Sequence, residues 1–192
     1  MKQKPPHKKP ADTREQRIYL TGFMGSGKST IGPILANTIG YDFVDVDRTI
    51  EKEAGKSVDQ IFLEDGEAHF RRLEGALISG LRSRSHLVVS LGGGTIADPD
   101  NLRDMKTSGI LIYLKATPDQ IFKRLHHKND RPSLKDPHGE RLSDEQLRVR
   151  IQELYRKREP LYSQADIVIR TDERKVGVTV DQIVKKLSFH LT

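Results

Sequence analysis

Residues 17–30, RIYLTGFMGSGKST, set Gly22-x-x-x-x-Gly27-Lys28-Ser29 directly after a run of β-branched and aromatic residues. Glycines at positions 22, 25 and 27 let the backbone turn tightly and come close to an anion. Successive N–H groups and the N-terminal end of a following helix then point at phosphate oxygens. Lys28 would reach the β- and γ-phosphates of a nucleoside triphosphate, and the Ser29 hydroxyl would ligate Mg2+. Gly25, Ser26, Gly27, Lys28, Ser29 and Thr30 are therefore candidate nucleotide-binding residues of a P-loop. The G-x-G-x-x-G spacing of a dinucleotide loop is not present here.

Two further clusters could act on whatever receives the phosphate. A strand-like run ends in Asp45-Val46-Asp47, and residues two apart on an extended strand point to the same side. Both carboxylates could then face the P-loop, one towards a metal's water shell and the other towards an acceptor hydroxyl. Another strand-like run leads into Gly92-Gly93-Gly94-Thr95, where glycines at a strand's carboxyl end allow close approach by a ligand.

Positioning these groups requires strands alternating with helices. Short β-branched or aromatic runs predict strands over 17–21, 41–46, 87–91, 110–114 and 166–170. Apolar residues recurring every three or four positions predict helices over 27–39, 58–81, 99–105, 118–126, 143–159 and 179–189. Ser57 with Gln60, Ser143 with Gln146 and Thr179 with Gln182 have capping-box spacing, and Thr117-Pro118 suits an N-cap followed by a first-turn proline. Pro33 falls inside the first helix, where a local distortion near Ser29 is expected. Such alternation implies an α/β fold: a parallel sheet covered on both faces, with ligands bound at the carboxyl ends of its strands.

The remaining 192-residue arithmetic is restrictive. The length suits one domain with a real core. Without cysteine there is no disulfide framework, a reducing compartment is compatible, and a cytoplasmic location is expected. No stretch resembles a membrane span or a signal peptide. The net charge of +6 is concentrated in MKQKPPHKKP, which carries Lys2, Lys4, Lys8 and Lys9 and no acid. That stretch makes residues 1–16 read as a disordered basic tail ahead of a domain over 17–192. The rest is nearly balanced and has no Trp, which argues against a nucleic-acid partner.

GFMGSGKST, the strand-end DVD, FRRLE, SLGGGT, DRPSL and KREPLY, taken in this order, resemble the shikimate kinases. These small P-loop kinases use ATP to phosphorylate the 3-hydroxyl of shikimate. The likeness spans nearly all of residues 17–189. It implies a three-layer P-loop NTPase fold: a five-stranded parallel sheet in order 2-3-1-4-5, a substrate-binding helical region, and a lid over about 127–142.

By the same resemblance, Asp45 sits near magnesium and Asp47 binds substrate hydroxyls as the candidate catalytic base. Arg71 and Arg158 hold the substrate carboxylate, and Gly92, Gly93 and Gly94 offer backbone N–H groups to the ring hydroxyls. Arg124 packs over adenine, and Arg131 reaches the transferring phosphate from the lid. Planar guanidinium forks suit carboxylate recognition through paired, charge-assisted hydrogen bonds. The expected partners are ATP and shikimate, and the expected state is a monomer. A gluconate or nucleoside monophosphate kinase would share Lys28 and Ser29 but not the joint set of Asp47, Arg71, Gly92 to Gly94 and Arg158. A nucleotide-dependent switch would phosphorylate no acceptor at all.

Overall fold

In the computed structural model, residues 17–126, 142–172 and 174–190 are described. Strands β1 (Arg17–Thr21), β2 (Asp42–Asp45), β3 (Leu87–Ser90), β4 (Ile110–Lys115) and β5 (Ile167–Arg170) form one sheet in the order β2-β3-β1-β4-β5. Every neighbouring pair is parallel, with β1 at the centre: Ile18 lies opposite Val88 on one side and Ile110 on the other. All five strands therefore end at the same edge, where the expected chemistry collects.

The pleat sorts the strand residues into two cores. Ile18, Leu20, Val88, Ile110, Ile112 and Leu114 face helices α1 (Lys28–Ile39) and α8 (Val176–His190), packing on Ile31, Leu35, Val180, Ile183 and Leu187. Tyr19, Leu87, Val89, Leu111 and Tyr113 face the other way. There they meet α2 (Val46–Ala54), α3 (Val58–Glu64), α4 (Glu67–Leu81), α5 (Pro99–Ser108), α6 (Pro118–Leu125) and α7 (Asp144–Tyr162). The result is the three-layer arrangement expected of the motif order.

Helix ends follow the local chemistry. Ser57 and Ser143 each form the predicted capping box, with Gln60 and Gln146 respectively, and Thr117 caps α6 ahead of Pro118. Four expectations need correction. Helix α2 begins immediately after Asp45, so Asp47 lies in a helical first turn rather than on a strand. The predicted helix over 58–81 is two helices, because the chain turns at Asp65 and Gly66, whose φ of 84° favours glycine. Thr179 is inside α8 rather than at its start, and its hydroxyl donates to the Lys175 carbonyl. Helix α1 runs continuously through Pro33, and α7 likewise through Pro160 to Tyr162. Within α1, Gly32 faces the Phe43 ring of β2, and a methyl group there would collide with that ring.

Candidate active site

The P-loop lies between β1 and α1, and its bends depend on glycine. Gly22, Gly25 and Gly27 have φ values of 141°, 77° and 108°. A Cβ on Gly22 would also fall 2.5 Å from the Leu114 carbonyl oxygen. The loop closes on itself through Ser26 N–H to the Phe23 carbonyl, and the α1 ladder starts with Ile31 N–H to the Gly27 carbonyl. Lys28 folds back over this loop, donating to the carbonyls of Gly22 at 2.7 Å and Phe23 at 3.3 Å. Among the described residues, the buried hydroxyls of Ser26 and Thr21 have no hydrogen-bond partner, so the loop retains unused polar capacity.

The loop is pinned by residues that follow β4 and β5. Arg124 donates to the Gly25 carbonyl at 2.9 Å and to the Thr171 carbonyl at 2.8 Å. The Thr171 hydroxyl donates in turn to the Ser26 carbonyl at 3.1 Å. Arg124 thus serves in this structure as a strut between the P-loop and the end of β5, a role its position in the sequence did not reveal. Thr171 was not anticipated either, because a threonine after a strand carries no local signal of a partner 145 residues away.

At the end of β2, Asp45 divides its two carboxylate oxygens. Oδ1 accepts the Arg48 amide and caps α2, whereas Oδ2 accepts the Ser29 hydroxyl at 3.1 Å. The two expected metal-binding side chains are therefore neighbours. Asp47 is neighbour to the glycine loop instead: a Cβ on Gly92 would lie 2.8 Å from Asp47 Oδ1. The helix start behind Asp47 favours its negative charge.

The arginines converge on the same loop. Arg71, on α4, packs so closely that a Cβ on Gly94 would fall 2.6 Å from its Nη2. Its guanidinium donates to Glu74 at 2.8 Å and to Glu67 at 3.0 Å, and lies over the rings of Phe70 and Phe62 at 5.4 and 6.0 Å. Burial disfavours its charge, but the Glu74 contact, and then Glu67, outweigh that and hold its pKa above the ordinary arginine value. Arg158, on α7, approaches from the other side, its Nη1 3.3 Å from where a Gly93 Cβ would stand.

Glu74 is the principal residue that sequence reasoning missed. It is completely buried, and it accepts the Thr95 hydroxyl as well as Arg71. A buried carboxylate needs such partners. Its place in FRRLE, three residues after Arg71, was the available signal. Arg131 and most of the expected lid over 127–142 lie outside the described residues; Leu142 packs against the core.

Residues 24–188 match the sequence model of the shikimate kinase family. The chain belongs to that family. The shikimate kinase of Chlorobaculum parvum is 50% identical over 174 residues, spanning 91% of this chain and 93% of that protein. That of Chlorobaculum tepidum is 49% identical over 174 residues, spanning 91% of each. Among solved structures, the shikimate kinase of Acinetobacter baumannii, determined in complex with shikimate, superposes with a TM-score of 0.82 at 30% identity. That match covers 94% of this chain and 98% of the other. The Bacteroides thetaiotaomicron shikimate kinase gives the same TM-score at 33% identity, covering 90% of this chain and 98% of its own. A gluconokinase from Sinorhizobium meliloti, 18% identical with a TM-score of 0.53, shares only the fold. Among the described residues, no helix is long and apolar enough to cross a membrane.

Proposed function

We propose that two groups of residues divide between them the transfer of the ATP γ-phosphoryl group to the 3-hydroxyl of shikimate, the reaction that membership of the shikimate kinase family assigns to this chain. Gly25 to Thr30 cradle the nucleotide phosphates. Lys28 leaves its loop carbonyls to meet the β- and γ-phosphates, and Arg131 joins it from the lid as the site closes. Arg124 braces the nucleotide loop and lines the adenine side. Arg71 and Arg158 hold the acceptor carboxylate, and Asp47 accepts the hydrogen bond of the attacking hydroxyl and takes its proton. The amides of Gly92, Gly93 and Gly94 fix the ring hydroxyls.

The reading rests on one observation above all: Asp47, Arg71 and Arg158, from three different helices, each abut a different glycine of the Gly92 to Gly94 loop. Phosphoryl transfer asks mainly for alignment and charge neutralisation, and no nucleophilic protein residue is required. Ser29 and Asp45 suit Mg2+, because a hydroxyl and a carboxylate oxygen 3.1 Å apart are hard donors that leave room for water and phosphate. When bound, the ion neutralises charge on the phosphates. The working unit is a cytoplasmic monomer, with residues 1–16 a tail dispensable for activity and 17–192 the kinase domain.

The test is ADP release from ATP and Mg2+ with shikimate, shikimate carboxamide, gluconate and nucleoside monophosphates compared side by side. Shikimate should be the acceptor used, and the neutral carboxamide should have a KM at least tenfold higher, as truncated charge-assisted pairs imply. Equal use of the carboxamide would overturn the carboxylate clamp. Phosphorylation of gluconate or a nucleoside monophosphate in place of shikimate would overturn the acceptor assignment.

A further inference from the structure

In KREPLY, Arg158 is accounted for by the acceptor site and Tyr162 is not, although the two stand four residues apart on one face of α7. Tyr162 has no solvent exposure. Its ring packs on Tyr113 at 5.3 Å, and its phenol donates to the Gly93 carbonyl at 2.6 Å. Burial pushes the phenol pKa up to about 12, against the positive charge of Arg158, so the group is a protonated donor at neutral pH.

The carbonyls of the glycine loop are all taken up within the protein. The Thr95 hydroxyl and amide approach the Gly92 oxygen, Tyr162 holds the Gly93 oxygen, and the Ala97 amide holds the Gly94 oxygen. A trans peptide is planar, so its C=O and the following N–H point in opposite directions. Fixing the Gly93 oxygen on Tyr162 therefore fixes the direction of the Gly94 N–H, away from α7. Arg158 stands at the same peptide: a Cβ on Gly93 would lie 3.3 Å from Arg158 Nη1 and 3.6 Å from the Tyr162 hydroxyl, so both side chains meet there.

We propose that Tyr162 is a positioning residue for acceptor recognition, whose hydroxyl holds the Gly93–Gly94 peptide in place beside the Arg158 guanidinium. The part concerning Arg158 rests on the function proposed above. A tyrosine used only as core would need its ring and not this bond. Tyr113 supplies the comparison, because its hydroxyl is bonded to Tyr155 at 3.2 Å within the same aromatic stack and does not reach the glycine loop.

The experiment compares Tyr162→Phe with Tyr113→Phe in the full-length enzyme. Each variant loses one phenol bond, and both should lower Tm by a similar amount, about 2 to 4 °C. Tyr162→Phe should raise KM for shikimate roughly five- to tenfold with KM for ATP and kcat within about twofold of wild type. Tyr113→Phe should leave all three constants within about twofold. In an Arg158→Lys background, adding Tyr162→Phe should change shikimate KM by a smaller factor than in wild type, since coupled groups are not additive. Unchanged shikimate KM in Tyr162→Phe, or equal rises in both tyrosine variants, overturns the proposal, as does full additivity with Arg158→Lys. If Arg158→Lys alone leaves shikimate KM unaltered, the role given to Arg158 fails, and Tyr162→Phe alone still decides the hold on Gly93.

Discussion

Arg71 stands one turn from Glu74 on α4, its Nη1 2.8 Å from a carboxylate with no solvent exposure. The pair is lopsided, since Arg71 keeps about a third of its side chain in solvent while Glu74 keeps none. Glu74 can aim Arg71 because it is itself immobilised by Thr95.

Glu74→Gln keeps the shape and removes the charge that opposes Arg71. The expected outcome is a rise in shikimate KM of roughly tenfold, ATP KM being little changed, because the guanidinium loses a charge-assisted bond worth about 1.5 to 3 kcal/mol. Steady-state kinetics with each substrate varied in turn checks it; equal effects on both KM values would mean that Glu74 only supports the fold.

Gly94→Ala places a methyl 2.6 Å from Arg71 Nη2, the far end of a flexible side chain. Arg71 should move and the backbone should not. Circular dichroism and Tm should stay close to wild type, while shikimate affinity measured by calorimetry falls at least tenfold. A folded variant with full affinity would separate Arg71 from the acceptor.

Lys28→Met removes the ammonium now resting on the Gly22 and Phe23 carbonyls. Phosphoryl transfer should fall by at least a thousandfold, as loss of a transition-state charge partner implies, with the fold retained. Turnover near wild type would remove the P-loop from the mechanism.

Lys115 and Glu159 form an ion pair at 2.6 Å, linking the end of β4 to α7. The hydrogen bond from Lys115 holds the Glu159 pKa below its ordinary 4.5, and the reciprocal bond holds the Lys115 pKa above 10.5. The stabilisation from Glu159 is present above pH 4.5 and is lost as pH falls through its lower folded value; that from Lys115 is present below 10.5 and is lost as pH rises beyond its higher one. Glu159→Gln should therefore lower stability at pH 7 by at most about 1 kcal/mol, since the pair is partly exposed, and the deficit should vanish in acid. Urea unfolding at pH 7 and at pH 3 checks it.

The chemistry was more legible than its scaffolding. The P-loop could be read from Gly22 to Ser29 because all its determinants are consecutive. The order of the sheet came with the resemblance, since strand spacing alone does not specify neighbours. Helix α2 was hidden because VDRTIEKEA is mostly polar, and DVD read as the end of a strand when its first aspartate was an N-cap. The break at Asp65-Gly66 was hidden because apolar periodicity continues on both sides. Glu74 left a local signal in its spacing from Arg71, but its anchor on Thr95 lies 21 residues away, and the contacts of Thr171 and Tyr162 lie 145 and 69 residues away, where no local pattern reaches.

The divided carboxylate of Asp45 makes the site modular. The oxygen that stabilises the start of α2 faces one way, and the oxygen shared with Ser29 faces the other. Exchange of whatever occupies the Ser29 side leaves the helix cap in place, and with it the first turn that carries Asp47. Under the proposed division of roles, the donor half could be emptied and refilled on every cycle while the helix cap beneath the acceptor half keeps its own oxygen.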